Sequence, residues 1–171
     1  KHAAMFPIRT PKRLADGRYI LPVAALECNF PKPGAEPALM SHEDVVTFFH
    51  EFGHLLHAIF AGRQQWIGVS GITTEWDFVE APSQMLEEWC YQYDSLKLFA
   101  KHHQTGEVIP RDLVDKLRRA ADFGKGLSAA HQMFYAAVSL NYYNRDPKSL
   151  DTTKLMMELQ EKYSPFDYEH D

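Results

Sequence analysis

The sequence predicts a mainly α-helical fold of the α+β type, with a small antiparallel β-sheet at its N-terminal end. Residues 1–40 hold six of the ten prolines and contain short extended runs. From residue 41 onward, apolar residues recur at helical spacing in several segments that are bounded by capping or breaking residues. The 171 residues suffice for one domain, which we divide into a β-rich lead-in (1–40) and a helical region (41–171).

The lead-in has the pattern of a short β-ribbon. Extended runs are expected from Ala3 to Ile8 and from Arg18 to Phe30, and Asp16-Gly17 between them is typical of a hairpin turn. The proline-rich stretch from Pro31 to Pro37 is expected to be a loop. Because so small a ribbon is not stable by itself, we expect it to pack on the helical region.

The helical region starts with a long apolar helix. It is expected to run from about residue 42 to 61, between an N-cap at Ser41 and a stop at Gly62. Apolar side chains cover about half of its girth, as in a helix that packs in a core. A loop or extended segment is expected over 63–76. A second helix is expected to begin near Asp77 to Pro82 and to run to about Lys101, and further helices are expected over about 111–123, 127–143 and 151–163.

Composition and charge exclude several function classes. The chain is 45% hydrophobic and 24% charged, as is usual for a soluble globular domain. A net charge of −5 gives no reason to expect nucleic acid or an anionic membrane as partner, and no apolar run is long enough for a membrane-spanning helix. The start lacks the pattern of a secretory signal peptide, and Cys28 and Cys90 are expected to be free thiols. We therefore expect a cytoplasmic protein.

The most informative motif is His50-Glu-Phe-Gly-His54, which lies inside the first helix. Residues four apart project from one face of a helix, so both imidazoles can bind one tetrahedral zinc ion. Glu51 lies about 100° round the helix, beside the metal, where it can act as general base on a water. Histidines on so apolar a helix need a polar partner, which a metal supplies. We expect one Zn²⁺ per chain.

A catalytic zinc ion typically has a third protein ligand. Glu80, which comes 26 residues after His54 at the expected start of the next helix, is favoured because an antiparallel return would place it beside the first helix. The other candidates for this ligand are Asp77, Glu75 and Glu87.

Three further polar residues are candidates for positions around the metal. Gln84 and Glu87 share the helix face of Glu80, where they either orient a histidine ligand or face solvent. His57 follows on the same stripe as the two histidines. It is expected to be packed or hydrogen-bonded near the site rather than to bind the metal.

The glycine-containing segment that includes Gly68, Ser70 and Gly71 has two interpretations. In the first, it is a strand edge along the cleft that pairs with the backbone of a peptide substrate. In the second, these residues only form a turn.

Four segments together form a pattern specific to one family: Pro22 to Pro33, Phe49 to His57, Val69 to Ile72 and Asp77 to Glu87. The pattern resembles the thimet oligopeptidase and oligopeptidase A family of zinc metallopeptidases, peptidase family M3. The resemblance is strong over about residues 1–90 and looser from 91 to 171. It implies a zincin-like helical catalytic core in which the residues matching His50, His54 and Glu80 bind zinc and the one matching Glu51 is the general base.

The resemblance also implies an activity. Family members hydrolyse short oligopeptides, because their two lobes enclose a channel that excludes folded proteins. This chain has no room for the large N-terminal lobe, and it lacks the Gly-His and tyrosine stretch with which the family holds the substrate carbonyl. Tyr142-Tyr143 is expected to pack in the core instead. We therefore expect a partial catalytic domain, with the remaining lobes of the enzyme missing from this chain.

Two alternatives to a zinc-dependent oligopeptidase stay open at this point. The chain could be a catalytically incomplete zinc-binding fragment that serves only as a binding or structural module. It could also belong to a dipeptidyl carboxypeptidase rather than to an endopeptidase.

Overall fold

The computed structural model describes residues 3–62 and 64–169, and it confirms a mainly helical architecture with a small N-terminal sheet. The chain forms two compact units, Lys1–Asp115 and Lys116–Asp171. The expectation of one partial catalytic domain over 1–171 stays a prediction.

The elements of the described residues follow one another in a β-then-α order. The strands are β1 (Ala3–Arg9), β2 (Lys12–Arg13), β3 (Tyr19–Ile20) and β4 (Val23–Cys28). The helices are α1 (His42–Phe60), α2 (Ala81–Glu87), α3 (Tyr93–Leu96), α4 (Arg111–Asp122), α5 (Lys125–Tyr143) and α6 (Thr152–Tyr163). Two short 3₁₀ helices cover Ile67–Val69 and Glu88–Tyr91.

The N-terminal strands form two antiparallel pairs, β1 with β4 and β2 with β3. The turn between β2 and β3 contains Gly17 at φ 85°, a left-handed conformation that glycine adopts at little cost. The hairpin predicted at Asp16-Gly17 is therefore present. Both β1 and β4 contact α1, so the ribbon packs on a helix as expected.

Helix α1 begins where the sequence predicts. Ser41 is its N-cap and forms a capping box, in which the Ser41 hydroxyl accepts a hydrogen bond from the backbone N–H of Asp44 and the Asp44 carboxylate accepts one from the backbone N–H of Ser41. The helix is less buried than its apolar composition suggests. Gly53 and Ala58 are its buried residues, and most of its large apolar side chains are half-buried or exposed.

The second helix begins at Ala81, within the predicted start between Asp77 and Pro82, but its predicted continuation to about Lys101 is wrong. Helix α2 ends after seven residues, the 3₁₀ helix Glu88–Tyr91 follows, and Gln92 is extended (φ −102°, ψ 124°) before the four residues of α3. Cys90 is fully buried in the 3₁₀ helix, with its Sγ 3.9 Å from the carbonyl oxygen of Val45 in α1. Packing against α1 therefore overrides the helical periodicity of this segment.

The later helices agree with the predicted ones to within about two residues. Asp151 caps α6 by accepting a hydrogen bond from the N–H of Lys154, and α6 packs against α5. Tyr142 is half-buried and donates its hydroxyl to the carbonyl of Thr152. Tyr143 is 89% exposed, so the expected core packing is wrong for that residue.

Two predictions from composition can be compared with the structure. Cys28 and Cys90 are free thiols, as expected. In the described part of the chain, no helix has both the length and the apolar character needed to cross a bilayer.

Candidate metal centre and active site

Two consecutive turns of α1 present His50 and His54 to the start of α2. The Nε2 atom of each imidazole lies 3.2 Å from Oε2 of Glu80, the residue that precedes the first turn of α2. The helical spacing of four residues places both rings on one face, with their centroids 4.9 Å apart. The structure thus brings together the three residues that the sequence favours as ligands.

The close approach of α1 and α2 depends on Gly53, inside the His-Glu-Phe-Gly-His motif. A Cβ atom at this position would lie 2.6 Å from Cα of Ser83 and 2.7 Å from the carbonyl oxygen of Pro82. The glycine therefore lets the two backbones touch and brings Glu80 within reach of the histidines. This role of Gly53 was not predicted from the sequence. A glycine inside a helix costs about 1 kcal/mol relative to alanine, and that cost is the sequence feature that indicates a packing role.

The three side chains fit a zinc ion. Two imidazole nitrogens and one carboxylate are a ligand set of catalytic zinc, and two ligand atoms at about 2.1 Å from a tetrahedral ion are separated by about 3.4 Å. The observed separations of 3.2 Å from the Glu80 oxygen to each Nε2 are close to that value, and one donor atom from each residue lies within 4.8 Å of the others. The Glu80 side chain is 51% exposed, so solvent reaches this group of donors.

Glu87 fixes the orientation of one histidine. Its Oε1 lies 2.5 Å from Nδ1 of His50, on the far side of the ring from Glu80. When Nδ1–H donates to this carboxylate, the lone pair of Nε2 is left free to bind a metal. Gln84, the other residue considered for this contact, is exposed.

The remaining histidines of this face lack such a partner. Nδ1 of His54 and Nδ1 of His57 are buried without a hydrogen-bond partner in the described structure. The ring of His57 packs edge-on against Phe78, with centroids 6.0 Å apart. Burial, followed by the positive charge of His54, holds the pKa of His57 below its usual range. His57 thus lies in a packed position and outside the set of three donors.

The segment that contains Gly68, Ser70 and Gly71 forms a turn, and the strand interpretation is wrong. Ile67–Val69 is a 3₁₀ helix, and Gly71 has a φ of 72°. Ser70 is buried and donates its hydroxyl to the carbonyl of Pro11 at 3.3 Å. None of the three is among the described residues that line the cleft, which include Ile72, and their predicted contact with substrate stays a prediction.

The face that carries His50, His54 and Glu80 opens into a cleft of about 710 Å³. Its walls come from α1, from β1 and from the segment before α2. The lining residues are Ala3, Ala4, Met5, Pro7, His50, Glu51, His54, Ile72, Thr73, Thr74, Trp76, Val79 and Glu80. Of these residues, His50, Glu51, His54 and Glu80 were predicted from the sequence. The contributions of β1, of Thr73 and Thr74, and of Trp76, which is 93% exposed, were not.

Glu51 lies in this cleft with the three donors, as a base acting on a water would have to. Its negative charge also acts on the thiol of Cys28, at the end of β4. Burial, and then the charge of Glu51, raise the pKa of the Cys28 thiol. The predicted general base Glu51 is therefore close enough to the last strand of the ribbon to affect the ionisation of its cysteine.

Comparison with known proteins agrees with the sequence pattern. The model of a family described as "Peptidase family M3" matches residues 1–171. Oligopeptidase A of Escherichia coli (strain K12) is 44% identical over 123 residues, which are 71% of this chain and 18% of that protein. Dipeptidyl carboxypeptidase of the same organism is 42% identical over 123 residues, again 71% of this chain and 18% of the relative.

A plant relative matches a longer stretch. Mitochondrial intermediate peptidase of Arabidopsis thaliana is 33% identical over 167 residues, which are 96% of this chain and 24% of that protein. The chain thus spans about a fifth of the length of the curated relatives it matches. Because the family model covers the full sequence, the chain belongs to peptidase family M3.

Proposed function

We propose that this chain is the zinc-binding part of a metallopeptidase that hydrolyses peptide bonds in short oligopeptides. The observation that carries this proposal is the convergence of both Nε2 atoms, of His50 and His54, on the Glu80 carboxylate at 3.2 Å. Glu51 lines the same cleft. Membership of peptidase family M3 supports peptidase chemistry in general terms.

The roles of the side chains follow from their positions. His50, His54 and Glu80 would hold one zinc ion, which supplies Lewis acidity that lowers the pKa of a water toward about 7 and polarises the scissile carbonyl. Glu51 takes the proton of the attacking water and then delivers it to the leaving amine. Glu87 holds the Nδ1 side of His50, so that Nε2 keeps its direction through the reaction.

The cleft suits an extended peptide. Strand β1 lines it, and among the described residues β1 pairs only with β4. An extended peptide can bind by adding to such a strand, since its main chain then forms the same hydrogen bonds as a further strand. The exposed indole of Trp76 offers an apolar surface for one substrate side chain. Short peptides are thus the proposed substrates, with neither nucleic acid nor membrane as partner.

A cytoplasmic location is part of the same proposal. Two free thiols in a chain of this size are typical of a reducing compartment. One relative is named as mitochondrial, so the compartment is best tested directly, by fractionation of cells that produce the natural protein. Recovery in an organelle or membrane fraction would contradict this part.

The test of the general base is Glu51→Gln, which keeps the size of the side chain and removes its basicity. Hydrolysis of a quenched fluorescent peptide is expected to fall by at least about 10²-fold while zinc content is unchanged. The matched control is Glu43→Gln, an exposed carboxylate in the first turn of the same helix, which is expected to retain the wild-type rate. Equal rates for wild type and Glu51→Gln would refute Glu51 as base.

The third ligand needs its own test. Glu80→Ala is expected to lower zinc affinity strongly, whereas Asp77→Ala and Glu75→Ala are expected to leave it near the wild-type value, because neither belongs to the group of close donors. The measurement is zinc stoichiometry and affinity after dialysis against a chelator. Undiminished zinc binding by Glu80→Ala would show that another residue is the third ligand.

Two alternative functions can be separated from this proposal by product analysis. Because one relative is named a dipeptidyl carboxypeptidase, peptides with free and amidated C-termini should be compared. Release of dipeptides from free C-termini only would favour that activity over endopeptidase action. Zinc binding without turnover of any peptide would favour a catalytically incomplete zinc-binding module.

A further inference from the structure

Ser83 is a buried hydroxyl beside the candidate zinc ligand Glu80. It is the third residue of α2, and its side chain is fully buried. Its Oγ lies 2.9 Å from Oε2 of Glu80 and 2.9 Å from the backbone carbonyl oxygen of the same residue. The hydroxyl has one proton for these two acceptors.

The carboxylate is the better acceptor of that proton. The backbone carbonyl of Glu80 already accepts the N–H of Gln84 at 3.0 Å, the first hydrogen bond of α2. The carboxylate carries a negative charge, and hydrogen bonds to charged acceptors are about twice as strong as neutral ones. The Ser83 hydroxyl therefore donates to Oε2 of Glu80.

The oxygen that Ser83 contacts is also the one that faces both histidines. Oε2 of Glu80 lies 3.2 Å from Nε2 of His50 and 3.2 Å from Nε2 of His54. The Glu80 side chain is about half exposed, and a glutamate in that setting has several accessible rotamers. The buried Ser83 hydroxyl, 2.9 Å from Oε2, favours the one rotamer of Glu80 that keeps this hydrogen bond.

We propose that Ser83 is a positioning residue, which holds the Glu80 carboxylate toward His50 and His54 before a metal ion binds. This inference rests on the proposed function, because it takes Glu80 as the third zinc ligand. In this role Ser83 makes a ligand group ready for the metal, so that less conformational entropy is lost when zinc binds.

The side chain of Ser83 can be removed without disturbing the helix contact around it. Gly53 approaches the Cα of Ser83 and the carbonyl of Pro82, which are backbone atoms that Ser83→Ala retains. The hydrogen bond from the N–H of Gln84 to the Glu80 carbonyl is also retained. Ser83→Ala thus removes the donor to Glu80 and leaves the packing of α1 on α2.

The chain offers a matched control in Ser70, the other buried serine. Its hydroxyl donates to the backbone carbonyl of Pro11, away from the three donors. Both alanine variants lose one buried hydroxyl and one hydrogen bond. Both are expected to show a similar small fall in the midpoint of thermal unfolding, measured without metal.

The experiment measures zinc affinity of the purified wild type, Ser83→Ala and Ser70→Ala by competition with a chromophoric chelator. Ser83→Ala is expected to bind zinc about 10- to 100-fold more weakly than the wild type, whereas Ser70→Ala is expected to bind it equally well. With Co²⁺ in place of zinc, the visible absorption spectrum should change only in Ser83→Ala. Ser83→Thr, which keeps the hydroxyl, should regain affinity relative to Ser83→Ala.

The failures of the two proposals are distinguishable. Wild-type affinity and an unchanged Co²⁺ spectrum in Ser83→Ala would overturn the positioning role alone, as would an equal loss of affinity in Ser70→Ala. A wild-type protein that binds no zinc, or an unchanged affinity in Glu80→Ala, would overturn the proposed metal site itself.

Discussion

Nδ1 of His50 and Oε1 of Glu87 lie 2.5 Å apart, and this contact joins the motif helix α1 to the last residue of α2. The contact is a charge-assisted hydrogen bond when Nδ1–H donates to the carboxylate. It determines which nitrogen of His50 carries the proton and which is available to a metal. Both ends of α2 therefore contact the two histidines of α1. Glu80, before the first turn, lies beside His50 and His54, and Glu87, in the last turn, contacts His50.

Removal of that contact should weaken metal binding. Glu87→Ala is expected to lower zinc affinity about 10- to 100-fold, because the His50 ring loses the acceptor that fixes its tautomer and orientation. Competition with a chelator measures the change. The neighbouring exposed residue provides the control Glu88→Ala, and equal affinities of the two variants would contradict the role of Glu87.

Gly53→Ala should destabilise the fold. The added Cβ would lie 2.6 Å from Cα of Ser83, so α1 and α2 must move apart, and overpacking of this kind costs about 1–3 kcal/mol. Chemical denaturation gives the free energy of unfolding. Gly126→Ala is the matched control in α5, where a Cβ meets no atom within 4 Å, and it is expected to be neutral or slightly stabilising. A Gly53→Ala protein as stable as Gly126→Ala would contradict the close contact.

His42 should make stability depend on pH. Burial lowers the pKa of His42 in the folded state, and its Nε2 has no hydrogen-bond partner among the described residues. The unfolded chain has the ordinary value near 6.5, so below this pH the unfolded state binds a proton that the folded state does not. The stabilisation is therefore complete above about pH 6.5 and is lost as the pH falls through the folded-state pKa.

His42→Phe keeps the ring that packs edge-on against Tyr91 and removes the titration. Its free energy of unfolding should fall less than that of the wild type between pH 7.5 and 5.5. The measurement needs a chelator, because metal binding by histidine is itself pH-dependent. The exposed His103 supplies the control His103→Phe, and a wild-type pH slope in His42→Phe would refute the assignment.

The two thiols should react at different rates in the folded protein. Burial, followed by the charge of Glu87, raises the pKa of Cys90 to about 11, and its side chain is fully buried. Cys28 is only half-buried. With iodoacetamide at pH 8, mass spectrometry should show Cys28 modified first and Cys90 protected, because the thiolate is the reactive form. In urea the two rates should converge, whereas equal rates in the native protein would contradict the burial of Cys90.

The sequence predicted those parts of the site that depend on local geometry. His50 and His54 share a face because a helix repeats every 3.6 residues, and the capping box at Ser41 fixes where that helix begins. Among four candidates for the third ligand, spacing favoured Glu80 but left the alternatives open. In the structure, the contact at Gly53 brings the start of α2 onto α1 and places Glu80 beside the two histidines, which supports Glu80 among the candidates.

The parts that depend on long-range packing could not be predicted in this way. The helix predicted after α2 is interrupted at Gln92 because Cys90 is buried against α1. Such a long-range contact leaves no trace in the spacing of apolar residues along the sequence. The contribution of β1 to the cleft depends on how the ribbon packs across α1, from a position far away in the sequence. Trp76 was missed because an exposed indole in a loop has no periodic pattern.

The three donors come from a single stretch of chain between residues 50 and 80, on helices that contact each other directly. The entropy cost of closing a loop rises with the length of chain between the two contacting segments, and that length is smaller for α1 and α2 than for α1 and β1. Strand β1, by contrast, must return to α1 from the beginning of the chain. None of the three donors of the proposed metal site therefore comes from β1, whereas the wall of the cleft around them does depend on that strand.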